Sequence, residues 1–225
     1  MLVKNWMSKN VVTIDVNDSM QDTIKLLKQH NISILPVMKK GELIGIVTDR
    51  DVKRASASDA TTLEVHELLY LLSTMKVQQI MTDDPITIPH DYTVEEAAEI
   101  LLKNKISGAP VLDKEGKVVG IITKADIFRV LVSLTGVGKR GMQIAIQVED
   151  QPGSIKEVTD IIRKYGGRMV SILSTYERVP KGYRNVYIRS FGIDRFQVDQ
   201  LKDEVMQKGT LLYIIDHREN TREIF

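Results

Sequence analysis

The stretch ISILPVMKKGELIGIVTDRDV at residues 32–52 recurs as ISGAPVLDKEGKVVGIITKADI at residues 106–127. With Glu115 set aside as an insertion, 10 of the 21 aligned positions are identical. A short lead-in at residues 3–7 also recurs, at residues 77–81, with the same offset that separates Pro36 from Pro110. The chain therefore contains an internal duplication.

Each copy has the same order of residue types. A Pro-Val step opens an apolar run, a glycine interrupts it, and a second apolar run ends in Thr-x-x-Asp. A glycine between two apolar runs is typical of a hairpin. Amphipathic segments at Ser19–His30 and Thr93–Asn104 precede the two copies and predict helices. We expect strand, helix, strand, strand and helix in each repeat.

The Thr-x-x-Asp elements, Thr48 with Asp51 and Thr123 with Asp126, allow two interpretations. A threonine at a helix start with an acidic residue three positions on is a capping arrangement. The same residues suit a nucleotide, because a carboxylate can accept hydrogen bonds from both ribose hydroxyls while the hydroxyl and free backbone amides bind phosphate. The occurrence of the whole unit twice favours the second interpretation, and capping remains the alternative.

The sequences GIVTDRD at residues 45–51 and GIITKAD at residues 120–126 resemble the signature of the cystathionine-β-synthase (CBS) domain family. Two copies in tandem are similar to a Bateman module, and the resemblance covers about residues 1 to 135. It implies that the repeats pair in pseudo-two-fold symmetry, which forms two clefts for adenosine-containing ligands, and it implies sensing rather than catalysis. The ligand class expected is AMP, ADP, ATP or S-adenosylmethionine, bound as a regulatory ligand and not as a catalytic cofactor.

The resemblance also implies which residues line the two clefts, since each Thr-x-x-Asp works with strand residues of the other repeat. One cleft would combine Thr123 and Asp126 with Thr13, Ile34 and Leu35, and the other Thr48 and Asp51 with Thr87, Gly108, Ala109 and Pro110. Arg50, Lys53 and Lys124 are candidates for contacts to phosphate. The alternative is that these three are solvated charges on helix faces.

Composition places the chain among ordinary globular proteins. Its 225 residues are 43% hydrophobic and 27% charged, with a net charge of +1, so no nucleic-acid or membrane partner is expected. It contains no cysteine and opens without a long apolar segment, which is compatible with a cytoplasmic location. No base and nucleophile constellation is visible, and the His66-Glu67 pair lacks the second histidine of a zinc motif because Tyr70 stands there. We expect neither an enzyme nor a metal site.

A leucine-rich segment at residues 63–75 separates the repeats. Thr61 and Glu64 have capping-box spacing, which predicts a helix that starts near them. The surplus of apolar residues predicts packing on the CBS pair or at a subunit interface, and we expect a homodimer.

Beyond residue 141 the hydrophobic pattern changes to strand, helix, two strands, helix and strand. This βαββαβ order is that of a ferredoxin-like sandwich. The turn Asp150-Gln151-Pro152-Gly153-Ser154 between the first strand and helix resembles that of ACT domains, which commonly bind amino acids at such a turn. The resemblance makes these five residues a candidate ligand site, and the alternative is a tight turn that begins a helix.

The predicted fold is therefore α/β (α+β), a tandem CBS pair followed by a ferredoxin-like ACT domain. The expected boundaries are 1–60 for the first repeat, 61–76 for the inter-repeat helix, 77–135 for the second repeat, 136–141 for a flexible hinge and 142–225 for the ACT domain. The whole arrangement is similar to the acetoin-utilisation protein AcuB group. We expect a sensor that acts on a client enzyme; a structural interaction module, or a regulatory subunit of a separate enzyme with no nucleotide bound, is the alternative.

Overall fold

A computed structural model describes residues 1–59, 70 and 72–225 of the chain. The described residues form two compact units, Met1–Phe128 and Arg129–Phe225. The predicted inter-repeat helix, including His66 and Glu67, falls mostly outside the described residues. Within the described part of the chain, no helix is both long enough and apolar enough to cross a membrane.

The first unit shows the predicted strand, helix, strand, strand, helix order twice. The first repeat contains β1 (Ile14–Asp15), α1 (Met20–His30), β2 (Ile34–Lys39), β3 (Glu42–Thr48) and α2 (Asp49–Asp59). The second contains β4 (Thr82–Asp83), β5 (Ile88–Pro89), α3 (Val94–Lys103), β6 (Gly108–Leu112), β7 (Val118–Thr123) and α4 (Lys124–Thr135). The helix α4 begins in the first unit and ends in the second.

The predicted hairpins are confirmed, and each lies in a sheet of its own. The strands β2 and β3 are antiparallel, β1 lies parallel to β2, and β5, β6 and β7 repeat this arrangement. The hairpin glycines Gly41 and Gly116 have φ of +88° and +79°, a backbone conformation that residues with a Cβ rarely adopt. These glycines reverse the chain within each copy of the duplicated stretch.

Capping boxes begin the two amphipathic helices. Ser19 and Asp22 cap α1, and Thr93 and Glu96 cap α3, each through reciprocal side-chain and backbone hydrogen bonds. The hydrogen bonds from Ser19 hold the pKa of Asp22 below its usual value. The inward faces of both helices reach the cores of the repeats, where Met20 and Leu101 are fully buried.

The lead-in segments are exchanged between the repeats. Val3, from the N-terminal lead-in, is fully buried in the cluster of the second repeat, while Val77 is buried in that of the first. The Val3 amide donates to the Tyr92 carbonyl at 2.8 Å, and the equivalent Val77 amide donates to Asp18 at 3.0 Å. Strand β4 likewise pairs with β3 of the first repeat. Each repeat therefore completes the other's core.

The second unit has the predicted βαββαβ order with one added strand. Its elements are β8 (Met142–Glu149), α5 (Ser154–Lys164), β9 (Arg168–Thr175), β10 (Tyr183–Phe191), α6 (Val198–Met206), β11 (Thr210–Asp216) and β12 (Thr221–Ile224). The strands form one sheet in the order β12-β11-β8-β10-β9. Apolar residues of α5 and α6 pack on one face of this sheet and form a separate core.

The segment 136–141, which we expect to act as a flexible hinge, lies against strands of the second unit. A Cβ on Gly136 would approach Val170 Cγ1 to 2.2 Å, and one on Gly141 would approach the Ser190 carbonyl to 2.0 Å. Just before the segment, Arg189 Nε donates to the Thr135 carbonyl at 2.8 Å. The flexibility of these residues and the predicted domain boundaries stay predictions.

Candidate functional site: the CBS pair

Both Thr-x-x-Asp elements adopt the same geometry at the start of a helix. In the first, the Thr48 amide and Oγ1 donate to Asp51 Oδ2 at 3.0 and 2.6 Å, and the Asp51 amide donates to Thr48 Oγ1 at 3.3 Å. In the second, the corresponding distances between Thr123 and Asp126 are 2.7, 2.6 and 3.3 Å. The capping interpretation is thus correct for both. The capping hydrogen bonds occupy one oxygen, Oδ2, of each carboxylate and hold it in place. Capping by these aspartates is therefore compatible with ligand binding.

These carboxylates are unusually buried for aspartates. Asp51 is 8% exposed and Asp126 is 1% exposed. An ionised side chain loses hydration in such a position, and hydrogen-bond donors must replace it. The threonine donors supply part of this replacement, and a ribose can supply more.

The starts of β2 and β6 meet beside the two threonines. A Cβ on Gly108 would lie 2.8 Å from Ile34 Cδ1 of the other repeat and 2.9 Å from Thr123 Cγ2. Ile34 is in register with Thr48, and Gly108 is in register with Thr123. The structure therefore brings two of the predicted strand positions, Ile34 and Gly108, together beside Thr123, and Ile34 also lies opposite Thr48 in its own hairpin. Any larger residue at position 108 would displace Ile34.

The other predicted strand residues differ in what they can offer a ligand. The side chains of Leu35 and Ala109 are fully buried in the cores, so only their backbone groups are available. Pro110 is buried and has no N–H to donate. Thr13 is exposed and Thr87 is half-buried, just before β1 and β5.

Two of the three cations predicted to contact phosphate, Arg50 and Lys53, lie on α2 beside Asp51. Arg50 is exposed, and Lys53 is 78% exposed and pairs with Asp49 at 3.1 Å. Arg54 Nη2 instead donates to Asp51 Oδ1 at 3.0 Å. The spacing of three residues on one helix was the available sequence signal for this pair.

A cavity of about 320 Å³ opens next to this ion pair, within the volume range of small-molecule sites. Its lining consists of Asp51, Arg54, Ala55, Met75, Gln79, Ile80 and Met81. Among the described residues, Asp51 is the member of the predicted nucleotide set that lines it. The sequence did not indicate the contribution of Gln79, Ile80 and Met81, because these come from the exchanged lead-in, nor that of Met75 just before it.

The predicted ACT turn begins α5 in the second unit. Gly153 has φ of +95°, so the turn requires glycine there, and Gln151, Pro152 and Gly153 are exposed. Ser154 is 8% exposed and its Oγ accepts a hydrogen bond from Arg184 Nη2 at 3.2 Å.

Two residues that the sequence did not single out hold this turn. Asp150 Oδ1 accepts from the Tyr176 hydroxyl at 3.2 Å and lies 3.6 Å from Arg184 Nε. Gln151 and Ser154 border a cavity of about 430 Å³ whose rim includes the ion pair between Lys208 and Glu157, 3.0 Å apart. Both charges of a small zwitterion would find partners there.

Comparison with known proteins identifies the first unit. The sequence model described as "CBS domain" matches residues 3–58 and 77–133. The chain therefore belongs to the CBS domain family, and its first unit is a tandem CBS pair. A CBS domain-containing protein of Dictyostelium discoideum is 36% identical over 134 residues, which are 59% of this chain and 92% of that protein.

Two enzymes share the same region. The L-aspartate semialdehyde sulfurtransferase of Methanocaldococcus jannaschii is 37% identical over 129 residues, and the inosine-5′-monophosphate dehydrogenase of Korarchaeum cryptofilum is 33% identical over 125. These alignments cover 57% and 56% of this chain but only 23% of each enzyme. The shared part is thus a minor portion of both enzymes.

Among solved structures, the CBS domain pair of protein MJ0100 is 35% identical, with a TM-score of 0.50. The match covers 58% of this chain and 95% of that one. That CBS pair was crystallised with 5′-methylthioadenosine and S-adenosyl-L-methionine. A CBS pair with this fold therefore accommodates adenosine-containing ligands.

Proposed function

We propose that the protein is a non-enzymatic regulator whose CBS pair binds an adenosine-containing ligand. The observation that carries the proposal is the pair of buried Asp51 and Asp126 carboxylates, each held by its threonine beside the meeting point of β2 and β6. The adenosine ligands of the MJ0100 CBS pair support the ligand class.

The proposed roles follow from the chemistry of each group. The aspartates accept hydrogen bonds from the ribose hydroxyls, and backbone groups of Ile34, Leu35, Gly108 and Ala109 recognise the base. Pro110 shapes the cleft, and Thr13 and Thr87 offer hydroxyls at its border.

The phosphate groups of a nucleotide would be attracted by three cations, Arg50, Lys53 and Lys124. We add Arg54 to this set because it contacts Asp51.

A regulator of this kind acts on a client, and we propose a separate enzyme in this role. The support is that similar CBS regions occur within two much longer enzymes, where they make up 23% of the length. The rival proposal is a structural module with empty clefts.

For the second unit we propose an ACT domain that senses an amino acid or similar small molecule. The βαββαβ order, the glycine-dependent turn at residues 150–154 and the bordering cavity support this proposal. We also propose that the chain is similar over its whole length to the acetoin-utilisation AcuB group. In this proposal the protein is cytoplasmic and forms a homodimer.

Isothermal titration calorimetry of the full chain with AMP, ADP, ATP and S-adenosylmethionine tests the CBS proposal. We expect a dissociation constant below about 1 mM for at least one ligand, and loss of binding in the double variant Asp51→Ala, Asp126→Ala. Because each substitution also removes the carboxylate that completes a capping box, Asp22→Ala serves as the matched control. It removes the corresponding carboxylate from the capping box of α1 and should leave ligand affinity unchanged.

A bound ligand must also stabilise the native state. At a concentration of 100 times the dissociation constant, the free energy of unfolding should rise by about 2.7 kcal/mol, with a corresponding rise in melting temperature. No binding by any of the four ligands, with no change in melting temperature, would leave the structural module as the explanation.

A further inference from the structure

The second sheet has an outer face, which turns away from α5 and α6 and includes Gln143, Ala145, Tyr187 and Arg189. Alternate residues of β8 and β10 pack with the two helices, so the residues between them lie on this outer face. We propose that the outer face binds a small aromatic carboxylate, with the carboxylate on Arg189 and the ring over Tyr187 and Tyr213. The site shares no residue with the proposed adenosine clefts or with the predicted ACT turn, and the inference goes beyond both.

Arg189 is a buried cation that has hydrogen-bond donors to spare. It is only 4% exposed, and it donates from Nε to the Thr135 carbonyl at 2.8 Å and from Nη2 to Gln143 Oε1 at 2.9 Å. A guanidinium has five N–H donors, and Nη1 has no hydrogen-bond partner within the part of the chain that the structure describes. A buried charge without a counter-ion is unfavourable, so an anion that reaches Nη1 gains a strong contact.

The surroundings of Arg189 favour an anion. The strand registers place five residues in one row across the sheet, none of them acidic: Ser171, Arg189, Gln143, Ile215 and Arg222. Burial lowers the pKa of Arg189 from its ordinary value, and the group that acts in the opposite direction is Tyr213, not a carboxylate. Beyond the end of β11, His217 Nε2 is also buried, with no partner among the described residues. Burial and then the charges of Arg189 and Arg222 lower the pKa of His217, while Asp216 acts in the opposite direction.

The neighbouring row supplies an aromatic surface. It crosses all five strands of the sheet through Leu173, Tyr187, Ala145, Tyr213 and Ile224. Tyr187 and Tyr213 lie on either side of the fully buried Ala145, with ring centroids 6.4 Å apart and ring planes inclined by 32°. Both tyrosines are half-buried, so part of each ring remains accessible. This spacing lets one flat ring of a ligand contact both tyrosines.

The two rows are spaced for a single small molecule. Arg189 and Tyr187 are two residues apart on β10, a separation of about 7 Å along a strand. Gln143 joins the rows, because its Oε1 accepts from Arg189 and its Nε2 donates to the Tyr213 hydroxyl at 3.3 Å. A carboxylate one or two carbons from a ring spans this separation. Since Arg189 is so little exposed, the backbone of a nucleic acid is too bulky to reach it, and a compact carboxylate fits better.

Isothermal titration calorimetry of the full chain with phenylacetate and indole-3-acetate tests the site. We expect dissociation constants below about 1 mM, and binding about tenfold or more weaker for phenylacetamide, which keeps the ring but loses the charge. Cyclohexylacetate keeps the charge but loses the aromatic ring, and it should also bind more weakly. L-phenylalanine should be weaker as well, because its ammonium group would lie near Arg189 and Arg222. Tight binding of L-phenylalanine alone would therefore indicate the proposed ACT site and not this one.

Substitutions at Arg189 test the carboxylate contact directly. Arg189→Met replaces the guanidinium by an apolar side chain and should abolish the preference for phenylacetate over phenylacetamide. Arg189→Lys keeps the charge and should retain part of the preference. The matched control is Lys156→Gln, which removes an exposed positive charge from α5, on the other side of the sheet, and should preserve the ratio.

Histidine NMR of the wild type locates the ligand without a substitution at Arg189, and thus serves if Arg189→Met does not fold. Phenylacetate should shift the imidazole signals of His217 and raise its pKa, because the anion opposes the charges of the two arginines. The signals of His30 and His90 should not move, and His217→Gln assigns the signal. Equal affinity for phenylacetate and phenylacetamide, no binding at about 1 mM, or binding that leaves His217 unshifted overturns the site. None of these results bears on the adenosine proposal, which has its own titration.

Discussion

At the residue scale, Gly45 and Gly120, the first residues of the two signature sequences, are needed because a side chain would not fit there. Their backbone conformation is not the reason. A Cβ on Gly120 would lie 2.3 Å from Met7 Sδ, and one on Gly45 would lie 2.8 Å from Met81 Sδ. Both methionines come from the lead-in of the other repeat. The signature glycine therefore makes room for the exchanged segment.

The substitution Gly45→Ala should lower the free energy of unfolding by about 1–3 kcal/mol, as overpacking of a filled interior does. The Thr82 carbonyl, 2.9 Å from the added Cβ, belongs to the backbone of β4 and cannot rotate away as a methionine can. Urea unfolding measures the change. Gly138→Ala is the control, since no atom of the described residues other than its chain neighbours lies within 4 Å of the added Cβ, and it should be neutral or slightly stabilising. Equal effects would contradict the packing argument.

His217, which follows β11, should make stability depend on pH. Burial first, and then the charges of Arg189 and Arg222, lower the pKa of its imidazole from the ordinary value of 6.5, while Asp216 acts in the opposite direction. The unfolded chain thus binds a proton at a higher pH than the folded chain does. The stabilisation is fully present above pH 6.5 and is lost as the pH falls from there toward the folded pKa.

Urea unfolding at pH 7.5 and pH 5.5 tests this dependence. The wild type should lose more stability between the two values than His217→Gln, with a slope from this group of at most about 1.4 kcal/mol per pH unit. The remaining histidines and the carboxylates are common to both proteins and cancel in the difference. Parallel pH profiles would exclude a contribution from His217.

At the element scale, the exchanged lead-ins make the two repeats interdependent. The segment before each repeat donates backbone hydrogen bonds and one fully buried valine to the other repeat. A single repeat would therefore leave an apolar site unfilled and backbone groups unpaired. This explains physically why the CBS unit occurs here as a pair.

The two edges of the second sheet differ in a way that favours self-association at one of them. β9 forms one edge, and its residues 169–175 carry no charged side chain. β12 forms the other edge, but it has only four residues and includes Arg222 and Glu223. Short, charged edges resist pairing, whereas a long uncharged edge offers unpaired backbone groups to another strand. A second copy of β9, antiparallel to the first, is the partner we propose.

Light scattering should then give a mass of about twice the chain mass of 25.5 kDa at micromolar concentration. Ser174→Lys places a charge on an exposed position of β9 and should shift the protein toward the monomer. Thr221→Lys makes the same kind of change on the exposed β12 edge and should leave the mass unchanged. A wild-type monomer would refute the dimer, and a dimer that Ser174→Lys does not weaken would place its interface elsewhere.

At the scale of the whole molecule, the chain combines two units with separate cores. The two repeats have distinct hydrophobic clusters, and each cluster includes the lead-in valine of the other repeat. The second unit has a cluster of its own. The helix that carries Asp126 in its first turn continues to Thr135, whose carbonyl accepts hydrogen bonds from Arg189 and Ser171 of the second unit.

The sequence by itself determined the duplication, the order of elements in both units and the helix starts at Thr48 and Thr123. These features depend on periodicity, glycine turns and capping contacts that span a few residues, so they are written into short stretches of the chain. Only the tertiary structure decided that the lead-ins cross over, that Arg184 holds the turn at Asp150, and that β12 extends the second sheet. The physical reason is that such contacts depend on which segments meet in space and on the rotamers chosen there, and local patterns carry no information about either.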